Sequence, residues 1–171
     1  YTPKNGVNMI CRHGDCSLKI MDFGIIELEG GQSTGFSTED REVGFVILSG
    51  EADFSFGNTV WRSVGGRRSV FEGKAHSVYM PRRTELTLTA GMHTAIAFAS
   101  CPVDEDTQPQ LLKPENTRSV ILGAKPCERY NDFLIDERSN AKHLTIGEAW
   151  ITPGNWAGYP PHKHDEDKMP N

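Results

Sequence analysis

No stretch of this sequence stays apolar for the ~18 residues that a membrane-spanning helix needs, and no basic, apolar leader opens it. A membrane partner is therefore not expected. Tyr1 stands where an initiator Met would, so Tyr1 is not read as the natural start. An excess of positive charge is missing too: 18 Lys and Arg face 23 Asp and Glu, for a net charge of −5. Nucleic acid, whose phosphates need a basic face, is excluded as a partner on that ground. The pairs Arg67-Arg68 and Arg82-Arg83 read as solvated turns or sheet edges. Cysteine is sparse and irregular, at Cys11, Cys16, Cys101 and Cys127. A chain of 171 residues buries a core without staples, so free thiols in a cytoplasmic protein are expected. "CRHGDC" (Cys11 to Cys16) lacks the second ligand pair of a zinc knuckle. A long helical period is absent throughout.

What is present is β-strand pattern. The composition, 37% hydrophobic and 24% charged, is that of a globular protein. Short apolar runs recur between Gly, Pro, Asp and Asn. "LKIMDFGIIELEGG" (Leu18 to Gly31) ends in a turn signal. "VGFVILSGEADFSFG" (Val43 to Gly57) reads as strand, turn, strand, reversing at Gly50-Glu51. "SVFEGKAHSVYM" (Ser69 to Met80) reads the same way. "TELTLTA" (Thr84 to Ala90) alternates, with Leu86 and Leu88 on one face, and "HTAIAFAS" (His93 to Ser100) follows. Such punctuation predicts an all-β sandwich or barrel. Residues 101–118 turn acidic and proline-bearing, which marks a linker or long connection. Beyond it, "SVILG", "RYNDFLID" and "HLTIGEAWITPG" supply about three more strands, too few for a complete sandwich. The chain divides into a whole β domain at 1–118 and the first part of another at 119–171.

Candidate chemistry sits at the end, in "GYPPHKHD" (Gly158 to Asp165). Residues i and i+2 of a strand share a face, so His162 and His164 are placed to grip one ion together, with Lys163 turned away. Pro160 and Pro161 stiffen the approach. The bland alternative is a solvated tail, which Trp150, Trp156 and Tyr159 argue against. Further ligands are poor: Asp165, Glu166 and Asp167 follow too closely, Glu148 and His143 suit the surface better, His76 reads as structural, and His13 and His93 carry no pattern.

"WITPGNWAGYPPHKHD" (Trp150 to Asp165), "VILSGEADF" (Val46 to Phe54) and "AHSVYMP" (Ala75 to Pro81) together resemble the 5-deoxy-glucuronate isomerase family of inositol catabolism, in order and over essentially the whole chain. The resemblance implies a bicupin, two β-barrels in tandem, with the second incomplete here. It implies a divalent metal (zinc, manganese or iron) held by an HxH pair matching His162 and His164, with a Glu and a last His beyond Asn171. The chain then reads as the front portion of a longer protein, inactive alone, with apolar surface left bare on the unfinished barrel. The first barrel departs from the cupin pattern: "STGFSTEDREVGF" (Ser33 to Phe45) has no histidine, and Glu42 lies one position from the usual carboxylate spacing. That slip turns it to the other face of its strand, so the first barrel is expected to bind no metal and to pack against the second and build the oligomer. The implied reaction is the aldose–ketose isomerisation of 5-deoxy-glucuronate to 5-dehydro-2-deoxy-gluconate, with Arg129, Arg138 and Lys163 as cations for the substrate carboxylate. A non-catalytic sugar-acid binder and an isomerase of 4-deoxy-5-keto-uronate are the alternatives.

Overall fold

The computed structural model describes residues 2–15 and 18–158. The histidine pair His162 and His164, and Lys163 between them, lie outside the described residues.

The described chain is all-β apart from a single 3-10 turn, Pro114–Asn116. The strands are β1 (Gly6–Cys11), β2 (Asp22–Leu28), β3 (Ser33–Ser37), β4 (Arg41–Phe56), β5 (Thr59–Arg67), β6 (Ser77–Met80), β7 (Glu85–Ala90), β8 (Thr94–Pro102), β9 (Gln110–Leu112), β10 (Arg118–Leu122), β11 (Arg129–Ile135) and β12 (Ile146–Ile151). The first nine form one antiparallel system. One layer runs β1-β2-β8-β4-β6-β9, and the other is built from β3, β7, β5 and the far half of β4. The last three strands make a separate sheet, β10-β11-β12. No helix among the described residues is long and apolar enough to cross a membrane.

β4 organises the barrel. Its first seven residues are all buried, which is what a continuous apolar run such as "VGFVIL" requires: both faces must be covered. Val43, Phe45 and Ile47 point into the barrel, while Gly44 and Val46 point out, against the three-stranded sheet. Phe45 meets Phe36 and Phe54 edge to face at centroid separations of 5.2 and 5.7 Å, and Phe36 meets Phe98 at 5.0 Å. These aromatics fill the barrel interior.

Gly50-Glu51 does not reverse the chain. β4 runs through it with a bulge and changes partners, from β8 and β6 to β5 and β7. Gly50 has φ +76°, and a Cβ there would lie 2.3 Å from the His93 carbonyl oxygen. Glycine here permits a bend between sheets rather than a hairpin turn. Over 69–80, only Ser77–Met80 is a strand. Arg68 pairs with Glu72 across the preceding turn, and Phe71 is left 80% exposed by the barrel. The presumed linker is not all connection either. Within it, β9 adds to the free edge of β6, because Leu111 and Leu112 can each reach a core cluster. The free-thiol expectation fails at Cys11, which is disulfide-bonded; Cys101 and Cys127 are free.

Candidate functional site

β10-β11-β12 leads directly to the segment that carries the histidine pair, so what holds this sheet in place bears on any site there. Four devices dock it on the outer face of the barrel. Ile135, Leu144 and Ile146 pack with Tyr79 and Cys101, and Leu134 packs with Val46 and Ala75. Gly44 lets the sheet approach closely, since a Cβ there would meet Ile146 Cδ1 at 2.4 Å and Ile135 Cδ1 at 2.7 Å. The Arg67 guanidinium grips both carboxylate oxygens of Glu148, one at 2.9 Å, while its Nε donates to the Ile47 carbonyl at 2.9 Å.

The fourth device is Glu42. It faces outward, as its offset spacing predicts, and is fully buried. Its carboxylate accepts hydrogen bonds from the backbone N–H of Lys142 (2.8 Å), His143 (2.7 Å) and Leu144 (2.8 Å). The Tyr79 hydroxyl donates at 3.0 Å and the Cys101 thiol at 3.5 Å. Burial pushes the Glu42 carboxyl up, but the three backbone donors and Tyr79 outweigh it and hold the pKa below the ordinary value. Burial, with Glu42 beside them, pushes the Tyr79 hydroxyl and the Cys101 thiol each up to about 12. The trio is therefore one anion with two neutral donors. Its task is to fasten the 142–144 turn that precedes β12.

The alternate residues make the other face, half-buried along β10 and β11 and exposed along β12. Arg129 lies opposite Leu122 and Ile151, Asn131 opposite Val120 and Ala149, and Phe133 opposite Arg118 and Gly147. Residues in register share a face, and these alternate with the docked set. Arg118 stacks over Phe133, 4.3 Å from the ring centroid. Asn131 Oδ1 is buried without a hydrogen-bond partner among the described residues. Arg129 forms no ion pair with another described residue. The face thus offers a free guanidinium, an unspent amide oxygen and an apolar floor. Ile151 is 42% exposed on it.

The other sequence-predicted residues are distributed differently. Arg138 is engaged with Asp136 through Nε and Nη2, and Asp136 also takes Arg118. His143 is exposed and contributes its backbone to Glu42. Glu148, read as a surface residue, is the clamp partner of Arg67, and Arg67 is buried rather than solvated. Asn131 was not singled out from the sequence; a polar side chain on alternate positions of an apolar strand was its only signal. No trio of His, Cys, Asp or Glu that could hold a metal comes together among the described residues.

An aromatic-filled antiparallel barrel with a second sheet docked on its outer face defines a β-barrel protein of the cupin type. The chain belongs to the KduI/IolB family, which matches over residues 2–171. It is 32% identical over 150 residues to a 5-deoxy-glucuronate isomerase of Geobacillus kaustophilus, covering 87% of this chain and 54% of that protein. It is 28% identical over 170 residues to the 5-deoxy-glucuronate isomerase of Bacillus subtilis strain 168, covering 97% and 63%. The chain thus spans little more than half to under two thirds of the length of these relatives. Among solved structures, an IolB-like protein from Salmonella typhimurium LT2 superposes with a TM-score of 0.83 at 23% identity, covering 98% of this chain and 67% of that one. That likeness establishes the shared fold.

Proposed function

We propose that this chain is part of a metal-dependent aldose–ketose isomerase that converts 5-deoxy-glucuronate to 5-dehydro-2-deoxy-gluconate in inositol catabolism. The observation that carries the reading is the family match over nearly the whole chain, joined to curated relatives named for that substrate. The face of β10-β11-β12 that carries Arg129 supports it. In this reading the barrel and the three-stranded sheet belong to two cupin units that meet near residue 118, in a cytoplasmic homo-oligomer.

Two imidazoles, His162 and His164, fit zinc, manganese or iron as a donor pair, and they are the proposed ligands. When bound, a divalent ion supplies Lewis-acid polarisation of the sugar carbonyl and neighbouring hydroxyl. The chain's own residues do the positioning. Arg129 pairs with the substrate carboxylate, with Lys163 as a second cation, while Arg138 is held back by Asp136. Asn131 Oδ1 accepts from a sugar hydroxyl, a bond that its buried, unpaired state leaves ready-made. Phe133 and Ala149 exclude water beside them.

The test, on the full-length protein that contains this chain, is turnover of 5-deoxy-glucuronate followed by NMR, before and after chelation, with metal content measured on the same sample. Turnover that disappears with the metal and returns with it supports the reading, and Arg129→Ala is then expected to raise KM more than it lowers kcat. Turnover indifferent to chelation refutes metal dependence. Conversion of 4-deoxy-5-keto-uronate instead would assign the pectin-type reaction, and binding without conversion would assign a sugar-acid-binding cupin.

A further inference from the structure

A cavity of about 500 Å³ opens at the mouth of the nine-stranded barrel. Its floor is aromatic, from Phe36 and Phe98, and its wall carries a connected polar cluster. Asp22 sits at the centre of that cluster. Its Oδ1 accepts from the His13 backbone N–H and contacts His13 Nδ1, both at 2.7 Å. Its Oδ2 lies 3.1 Å from Arg41 Nε. Arg41 is fixed further by Ser100 Oγ (2.9 Å), the Ile20 carbonyl (2.6 Å) and the Ser100 carbonyl (3.2 Å).

This cluster is more than a solvated ion pair. Arg41 is only 8% exposed and Asp22 only 7%, and charges are withdrawn from water at a cost unless they are fully paired. Arg41 Nη1 and His13 Nε2 make no hydrogen bond to another described residue. Both edges are left for a guest. Asp22 contacts both the His13 ring and the Arg41 guanidinium, so two planar polar groups share a wall of the cavity that Phe36 and Phe98 also line.

We propose that this mouth is a second ligand site, and that it takes a monosaccharide-sized polyhydroxylated molecule. The volume lies within the ~300–1,000 Å³ of small-molecule sites. The charges around the cavity balance: Arg12, Lys19 and Arg41 against Asp22, Glu39 and Asp40. A balanced wall holds no strong excess for a bare anion. It suits hydroxyl groups, each of which donates and accepts at once, and the ring floor suits the C–H face of a pyranose. The site is separate from the isomerase reading and does not depend on it.

The experiment is ligand-observed NMR and calorimetry of the protein with D-glucuronate, D-glucose and inorganic phosphate in turn. One or both sugars are expected to bind, and His13→Ala to weaken that binding by up to about tenfold, the loss of one hydrogen bond. Arg62→Ala, on an exposed side chain outside both sites, is expected to leave it unchanged. Hydrogen exchange at residues 19–22 and 36–43 is expected to slow in the sugar-saturated protein, a readout that needs no variant. Absence of sugar binding at ~10 mM overturns the proposal. So does binding of phosphate alone, or binding indifferent to His13→Ala with no change in exchange at residues 19–22 and 36–43.

Discussion

Replacing Glu42 by Gln tests how the second sheet is held. The amide keeps one oxygen for the His143 and Leu144 N–H groups but sets an NH2 group where Oε2 now faces Lys142 N–H and Tyr79. The Tyr79 hydroxyl can turn to accept. The Lys142 N–H cannot, and it is left in a part-buried position facing another donor. An unsatisfied buried donor costs about 1–3 kcal/mol, and the remaining bonds lose their charge assistance. A destabilisation of about 2–4 kcal/mol follows, which for a chain of this size lowers Tm by about 5–15 °C. The assay is thermal unfolding by circular dichroism, with hydrogen exchange of the 142–144 amides as the local readout. The same substitution has a pH signature. The folded Glu42 carboxyl titrates below its ordinary value, so its stabilisation is fully present above the unfolded pKa of about 4.3 and is lost as pH falls through the folded value. The gap between the two proteins is expected to narrow in acid below about pH 4. A Tm within about 2 °C of the parent at neutral pH, with unchanged exchange at 142–144, would refute the anchoring argument.

Two further substitutions probe the same junction. Gly44→Ala drives a methyl group into Ile146 and Ile135 and is expected to cost about 1–3 kcal/mol by overpacking, read as a lower denaturation midpoint and faster exchange across β12. Arg67→Ala leaves Glu148 partly buried without its partner; a loss of about 3 kcal/mol is expected, and the double variant with Glu148→Ala should recover part of it in a double-mutant cycle.

Sequence by itself determined the class of fold. Period-two alternation in "TELTLTA" fixes which side of β7 is core, and Leu86 and Leu88 are both buried. The offset of Glu42 from the usual cupin spacing settles its direction, because neighbouring strand residues point to opposite faces. The three strands after residue 118 and the family itself were equally legible. What the sequence could not show was partnership over distance. Gly50 carries the same turn signal whether a strand reverses or bends, and only the neighbours available to each half of β4 decide. Glu42 and the 142–144 turn are about a hundred residues apart and Arg67 and Glu148 are 81 apart, so local pattern could not pair them, and it read Arg67 and Glu148 as surface charges. His13 had no pattern along the chain and acquires one only where β2 and β4 bring Asp22 and Arg41 beside it. Hydrophobic periodicity is a local property and survives into the fold unchanged. The pairing of buried charges is set by which elements the closed barrel brings together, and that was decided by the tertiary structure alone.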